Sequence, residues 1–166
     1  MKTIFVAAAL ALPAAAFAQQ AARAPVAAAP AASTVSLSSK AFVVKQVPDA
    51  NGKLKNTLAP VDRVLPGDVL VFMLDYRNGG AKAVTPFVIN NPVPANVAFT
   101  GVEQPWASVT VDGGKTYGPL AKLTVRKADG TSRAALPADV TAIRWTFGQP
   151  IAAGASGNVK FYAVVK

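Results

Sequence analysis

The chain has 166 residues, 17 Lys and Arg against eight Asp and Glu, a formal net charge of +9, and neither cysteine nor histidine. Disulfide stapling and thiolate chemistry are therefore excluded, and so are the commonest general base and the usual zinc and copper ligands. With 52% hydrophobic residues, a domain of more than roughly 100 residues can bury enough apolar surface to fold without staples.

The N-terminus reads Met1-Lys2, an apolar run from Thr3 to Leu12, Pro13, and small residues ending in Ala16-Phe17-Ala18. This order of a positive end, a short apolar run and an A-x-A site predicts a secretory signal peptide over residues 1–18. The run falls short of the ~20 apolar residues that a membrane-crossing helix needs, and no membrane span is expected after cleavage. Cleavage removes only Lys2 from the charged residues and takes the net charge from +9 to +8. The expected location is the periplasm, the cell surface or the exterior. Residues 19–34 begin with QQAARAPVAAAPAA, where Pro25 and Pro30 interrupt any helix the alanines could start, so this stretch reads as a flexible linker. The folded domain is expected over residues 35–166.

From about Ser33 onward β-branched and aromatic residues alternate at period two, the signature of half-buried strands. The expected strands are Ala41 to Val47, Leu54 to Leu58, Asp68 to Tyr76, Val84 to Ile89, Val97 to Val102, Ala107 to Val111, Lys122 to Arg126, Ala142 to Phe147 and Asn158 to Val165. In the third, Leu70, Phe72, Leu74 and Tyr76 share the face assigned to the core. In the last, Val159, Phe161, Ala163 and Val165 do so. Ile143, Trp145 and Phe147 also share a face, which makes Trp145 the candidate central aromatic. Between the strands stand Asn51-Gly52, Pro66-Gly67, Asn78-Gly79-Gly80, Asp112-Gly113-Gly114 and Asp129-Gly130, each able to supply a turn. Many short strands without helical periodicity predict an all-β, antiparallel β-sandwich. A membrane barrel fits less well, because the aromatics sit mid-strand rather than in girdles.

No catalytic residue, cofactor-binding residue or metal ligand set stands out, and a non-enzymatic protein without cofactors is expected. A glycosidase would need two of the eight carboxylates to converge in a cleft. Most of them border turns. Asp49-Ala50-Asn51-Gly52 opens like a calcium loop, but Leu58 stands where the later carboxylate should be. Thr110 to Tyr117 resembles the Asp-box hairpin that sialidase-like propellers repeat in every blade. A lone copy with Asp-Gly-Gly at its centre reads as a structural turn. Trp106, Tyr117 and Tyr162 fall at strand ends or opposite the core set, and they are the candidate interaction surface. The scattered cations read mainly as solvated strand faces. Their excess leaves acidic polysaccharide or lipopolysaccharide as a second class of partner, with no specific nucleic acid expected.

Pro66-Gly67-Asp68 followed by Val69 to Gly80, then Ala83 to Phe99, and finally Ile143 to Phe147 with Pro150 to Gly154 and Val159 to Val165 form a recurrent pattern of turn and core residues. On these marks the chain resembles, in a single copy spanning roughly Ser39 to Lys166, the bacterial surface-protein repeat family known as domain of unknown function eleven. That resemblance implies an immunoglobulin-like sandwich and a non-catalytic structural role in the envelope or outside the cell. The contacts it implies are with envelope or extracellular proteins, including self-assembly. The extended segment Ser33 to Val47 is expected either to close its own sheet or to be donated to another chain.

Overall fold

A strand whose side chains alternate apolar and polar buries one face only, and it needs a second layer to cover that face. The structure, a computed structural model, describes residues 34–166; the signal peptide assigned to residues 1–18, and the linker up to residue 33, lie outside the described residues. Ten strands follow in order: β1 (Val35–Pro48), β2 (Leu54–Pro60), β3 (Val69–Asn78), β4 (Phe87–Pro92), β5 (Val97–Val102), β6 (Ser108–Thr110), β7 (Thr124–Arg126), β8 (Ser132–Ala134), β9 (Ala142–Phe147) and β10 (Ser156–Val165). They form a five-stranded sheet in the order β2-β1-β3-β10-β5, a three-stranded sheet β4-β9-β6 and a small β7-β8 hairpin. Every pairing is antiparallel. The fold is thus an all-β sandwich of packed antiparallel sheets, with β2 and β5 as open edges of the larger one.

The core lies where the inner faces of the two larger sheets meet. Leu74 of β3, Val159, Phe161 and Ala163 of β10, Phe99 of β5, Ile89 of β4 and Ile143 and Trp145 of β9 belong to one buried cluster. Trp145 is 0% exposed, and its ring tilts against Phe161 across the sheets with centroids 6.5 Å apart. Phe161 in turn stacks on its cross-strand partner Phe72 at 4.6 Å. At one end Tyr76, Phe87, Phe147 and Trp106 form an aromatic cluster, with Tyr76 meeting Phe147 edge-on at 5.0 Å. These are the core faces expected from the alternation, and Trp145 takes the central place assigned to it.

Asn78 ends β3 and is fully buried. Its side-chain amide donates to the backbone carbonyls of Lys82 (2.8 Å) and Ile151 (2.9 Å), and its oxygen accepts from the Gly80 N–H at 3.0 Å. One side chain therefore ties the end of a central strand to two loops.

Four expected boundaries shift. β4 begins only at Phe87, because Pro86 has no N–H to give a ladder, and Val84 keeps a single bridge to Ile151. The strand expected from Lys122 is β7 alone, since Leu120–Lys122 form a one-turn 3-10 helix. β8 was not expected at all; it is three residues held by pairing with β7. β1 starts earlier, at Val35, where the serine-rich stretch Ser36 to Ser39 is held extended by register with β3 from Val35↔Asn78 onward. Flanked by β2 and β3, β1 closes its own sheet.

Candidate functional site

The carboxylates are individually committed. Asp49 Oδ1 caps the β1-β2 turn by accepting from the Asn51 and Lys53 N–H groups, and Asp68 Oδ2 accepts from the Leu65 N–H at 2.8 Å. Asp75 pairs with Lys40 at 3.0 Å, Glu103 with Lys160 at 2.9 Å, and Asp139 with Arg133. Asp129 accepts from Thr131. No two of these acids share a hydrogen-bond or ion-pair partner. Among the described residues no three His, Cys, Asp or Glu side chains come together so as to hold a metal ion. No helix among them is long and apolar enough to cross a membrane.

The Asp-box-like turn is held from within. Asp112 Oδ1 accepts from the Thr110 hydroxyl (2.7 Å) and from the Lys115 and Thr116 N–H groups (3.0 Å each), while Gly113 and Gly114 take positive φ. Hydrogen bonds from the Thr116 backbone first, and then from Thr110, lower the Asp112 carboxyl to about 2. Its acceptor capacity is spent on the turn, as expected of a structural hairpin.

The three candidate aromatics do not form one site. Trp106 is 48% exposed and packs edge-on against Phe147 at 5.2 Å, where it borders a shallow groove with Thr146, Gly148 and Gln149. Tyr117 is half-buried beneath a cation: the Arg144 guanidinium lies 3.6 Å over its ring and donates to Asn90 Oδ1 at 2.7 Å. Its face is therefore already occupied, which is a poor arrangement for stacking a ligand. Tyr162 lies on the outer face of the larger sheet, on the far side of the molecule's core from β9, and its hydroxyl meets Glu103 Oε2 at 3.4 Å.

The surroundings of Tyr162 hold what the alternation alone did not reveal. Outward positions of the larger sheet run Pro60, Phe42, Val71, Tyr162 and Gly101 across one row, fixed by register. The next row places Val69, Val164 and Ala98 side by side, with Leu58 opposite Val44. Lys40, Met73 and Lys160 follow on the other side. Val71 points outward yet is only 2% exposed, shielded between Phe42 and Tyr162. Val69 (42%) and Leu58 (45%) remain open to solvent. A groove of about 430 Å³ opens beside them between Val44, Asn56, Val69 and Tyr162. The two lysines at the margin pair with Asp75 and Glu103, and the exposed Arg77 follows Asp75 on the same side of β3. Its signal in the sequence was β3 itself: Val69 to Leu74 is apolar at both parities, the pattern of a strand covered on both faces.

Compared with known proteins, the chain matches no family model, no curated protein and no solved structure.

Proposed function

We propose that this chain is an exported, non-catalytic interaction module of the bacterial envelope or extracellular space that works through protein-protein contacts. The observation that carries the reading is the apolar face around Val71 and Tyr162, with Val69 and Leu58 open to solvent on it, since an exposed contiguous apolar patch on a small domain marks a surface that partners cover. The signal-peptide pattern, the Ala/Pro-rich segment and the resemblance to the surface-protein repeat family support it, as does the commitment of seven of the eight carboxylates to turns and ion pairs. A photoreactive side chain placed at Val69 in intact cells should yield discrete protein adducts in the envelope fraction, with a mature chain starting at Gln19. The same probe at Leu136, which is exposed in the β8-β9 connection outside the five-stranded sheet, should not. Adducts from neither position, or equally from both, reject the reading.

A second reading, binding of acidic polysaccharide or lipopolysaccharide, is favoured by a different feature. The β7-β8 region carries exposed Lys122, Arg126 and Lys127, while its one nearby uncommitted-looking acid, Asp129, is held by Thr131. Affinity for such polyanions should fall steeply as salt rises and should weaken when these three cations are replaced by glutamine. Binding that salt does not change dismisses it.

A further inference from the structure

Sheets cover their apolar faces with other sheets, at a spacing of about 10 Å and with alternate side chains interdigitating. The outer side of the β2-β1-β3-β10-β5 sheet is built for such a cover. Apolar side chains from five neighbouring strands, among them Leu58, Phe42, Val69, Val71, Tyr162 and Ala98, stand on it in adjacent rows. Val71 is already buried there without any second layer above it. The inner side of the same sheet, with the same arrangement, carries the three-stranded sheet.

Charge selects the occupant. Residues 34–166 hold fifteen of the seventeen Lys and Arg and all eight Asp and Glu, so copies of this domain repel one another from most directions. On the outer face Lys40 and Lys160, beside the apolar rows, are both ion-paired, and the exposed Arg77 stands apart at the far end of β3, two rows beyond Met73. The apolar rows themselves are therefore a surface on which two like-charged molecules can meet. The open edge at β2 is less suited to self-pairing, because Lys55 lies in it and Lys53 beside it, and charge on an edge strand blocks edge-to-edge addition. The size also fits. β3 and β10 are ten residues each, β2 seven and β5 six, so five strands at sheet spacing make a face about 20 Å wide that is about 33 Å long at its centre and about 20 Å long at its edges, within reach of the roughly 800 Å² per partner of a standard stable interface.

We infer that a second copy of this chain covers the outer face of the five-stranded sheet, giving a symmetric dimer whose two larger sheets stack face to face around Val69, Val71 and Tyr162. The inference rests on the interaction-module reading above and gives it a partner.

The test is the mass of the full mature chain by sedimentation and light scattering from about micromolar to about millimolar concentration. A dimer is expected, and added salt should strengthen it, because screening removes repulsion between the basic bodies while leaving the apolar contact intact. Val69→Glu and Leu58→Glu, both at exposed positions that the fold does not need buried, should weaken the dimer at least about tenfold, a change of 1.4 kcal/mol. Circular dichroism should show both variants folded, and Leu136→Glu should leave the dimer unchanged. A monomer throughout, or a dimer indifferent to both face substitutions, overturns the inference. If the chain is monomeric but the Val69 photoprobe still captures a different envelope protein, only the second copy is wrong. If the probe captures nothing, the interaction-module reading falls as well.

Discussion

The two sides of the five-stranded sheet are made of the same kind of side chain, yet they differ in what covers them. On the inner side, Leu70, Leu74, Phe161 and Ala163 meet a second sheet carrying Trp145 and Ile143 and lose nearly all contact with water. On the outer side, Phe42, Val71 and Tyr162 cover one another sideways, and Val69 and Leu58 stay open. Alternation therefore brings apolar groups to a face, but only a facing layer turns that face into a core. The inner side supplies stability; the outer side, on the reading proposed above, keeps apolar surface for association.

Substitutions should separate the two sides. The largest effect belongs to the inner one: Trp145→Ala should cost about 3 to 5 kcal/mol of unfolding free energy in denaturant titrations, or abolish folding. Trp145→Phe should cost much less, because the indole Nε1–H has no hydrogen-bond partner and the residue contributes by packing. A loss under 1 kcal/mol for Trp145→Ala would contradict a single shared core.

Next comes the polar staple at the rim of that core. Asn78→Ala removes the amide donor from the Lys82 carbonyl and one of the two donors from the Ile151 carbonyl, which keeps the Val84 N–H, and should cost about 1 to 3 kcal/mol. Faster hydrogen exchange of the Gly80 and Gly154 amides, which donate to the Asn78 side-chain oxygen and backbone carbonyl respectively, should accompany it.

A smaller effect tests the outer side directly. In monomer-range solutions Val71→Ala should cost about 1 to 2 kcal/mol as a buried truncation, whereas Val69→Ala, two residues along the same face, should stay within about 0.5 kcal/mol. Equal losses would mean that Val71 is not shielded by its neighbours and that the outer side is uniformly wet.

The mildest prediction concerns acid. Asp112 and Asp139 titrate at about 2, the former through Thr116 and Thr110 and the latter through Arg133 and the Leu136 N–H, and Asp129 is also lowered by Thr131. A carboxylate with a depressed folded-state value stabilises the fold above its ordinary range and loses that contribution as pH falls toward the folded value. The melting temperature should therefore be flat from pH 7 to about 4 and drop between about 4 and 2. Asp112→Asn with Asp139→Asn should lower the plateau and flatten that drop; an unchanged profile would show that these turns do not hold the sheets' connections.

Much of this was legible in the chain itself. Leu70, Leu74, Val159, Phe161 and Trp145 fall on core faces because side chains of an extended strand alternate without exception, so the facing set follows from spacing alone. The Asp112-Gly113-Gly114 and Asn51-Gly52 turns were equally readable, because positive φ and side-chain capping are local properties. The Tyr117 site was not, since Arg144 reaches its ring from a strand 27 residues away in the chain. β8 could not be seen because three residues hold a strand only through their partner.

What the sequence determined on its own is the all-β character, the inner faces and the turns, because each depends on neighbours one to four residues apart. Only the tertiary structure decided that Trp106, Tyr117 and Tyr162 stand apart, which partner each paired acid takes, and that an apolar face gathers on the outside of five strands. Those outcomes are set by pairing between residues up to 95 positions apart, such as Val69 with Val164, and no local pattern encodes that register.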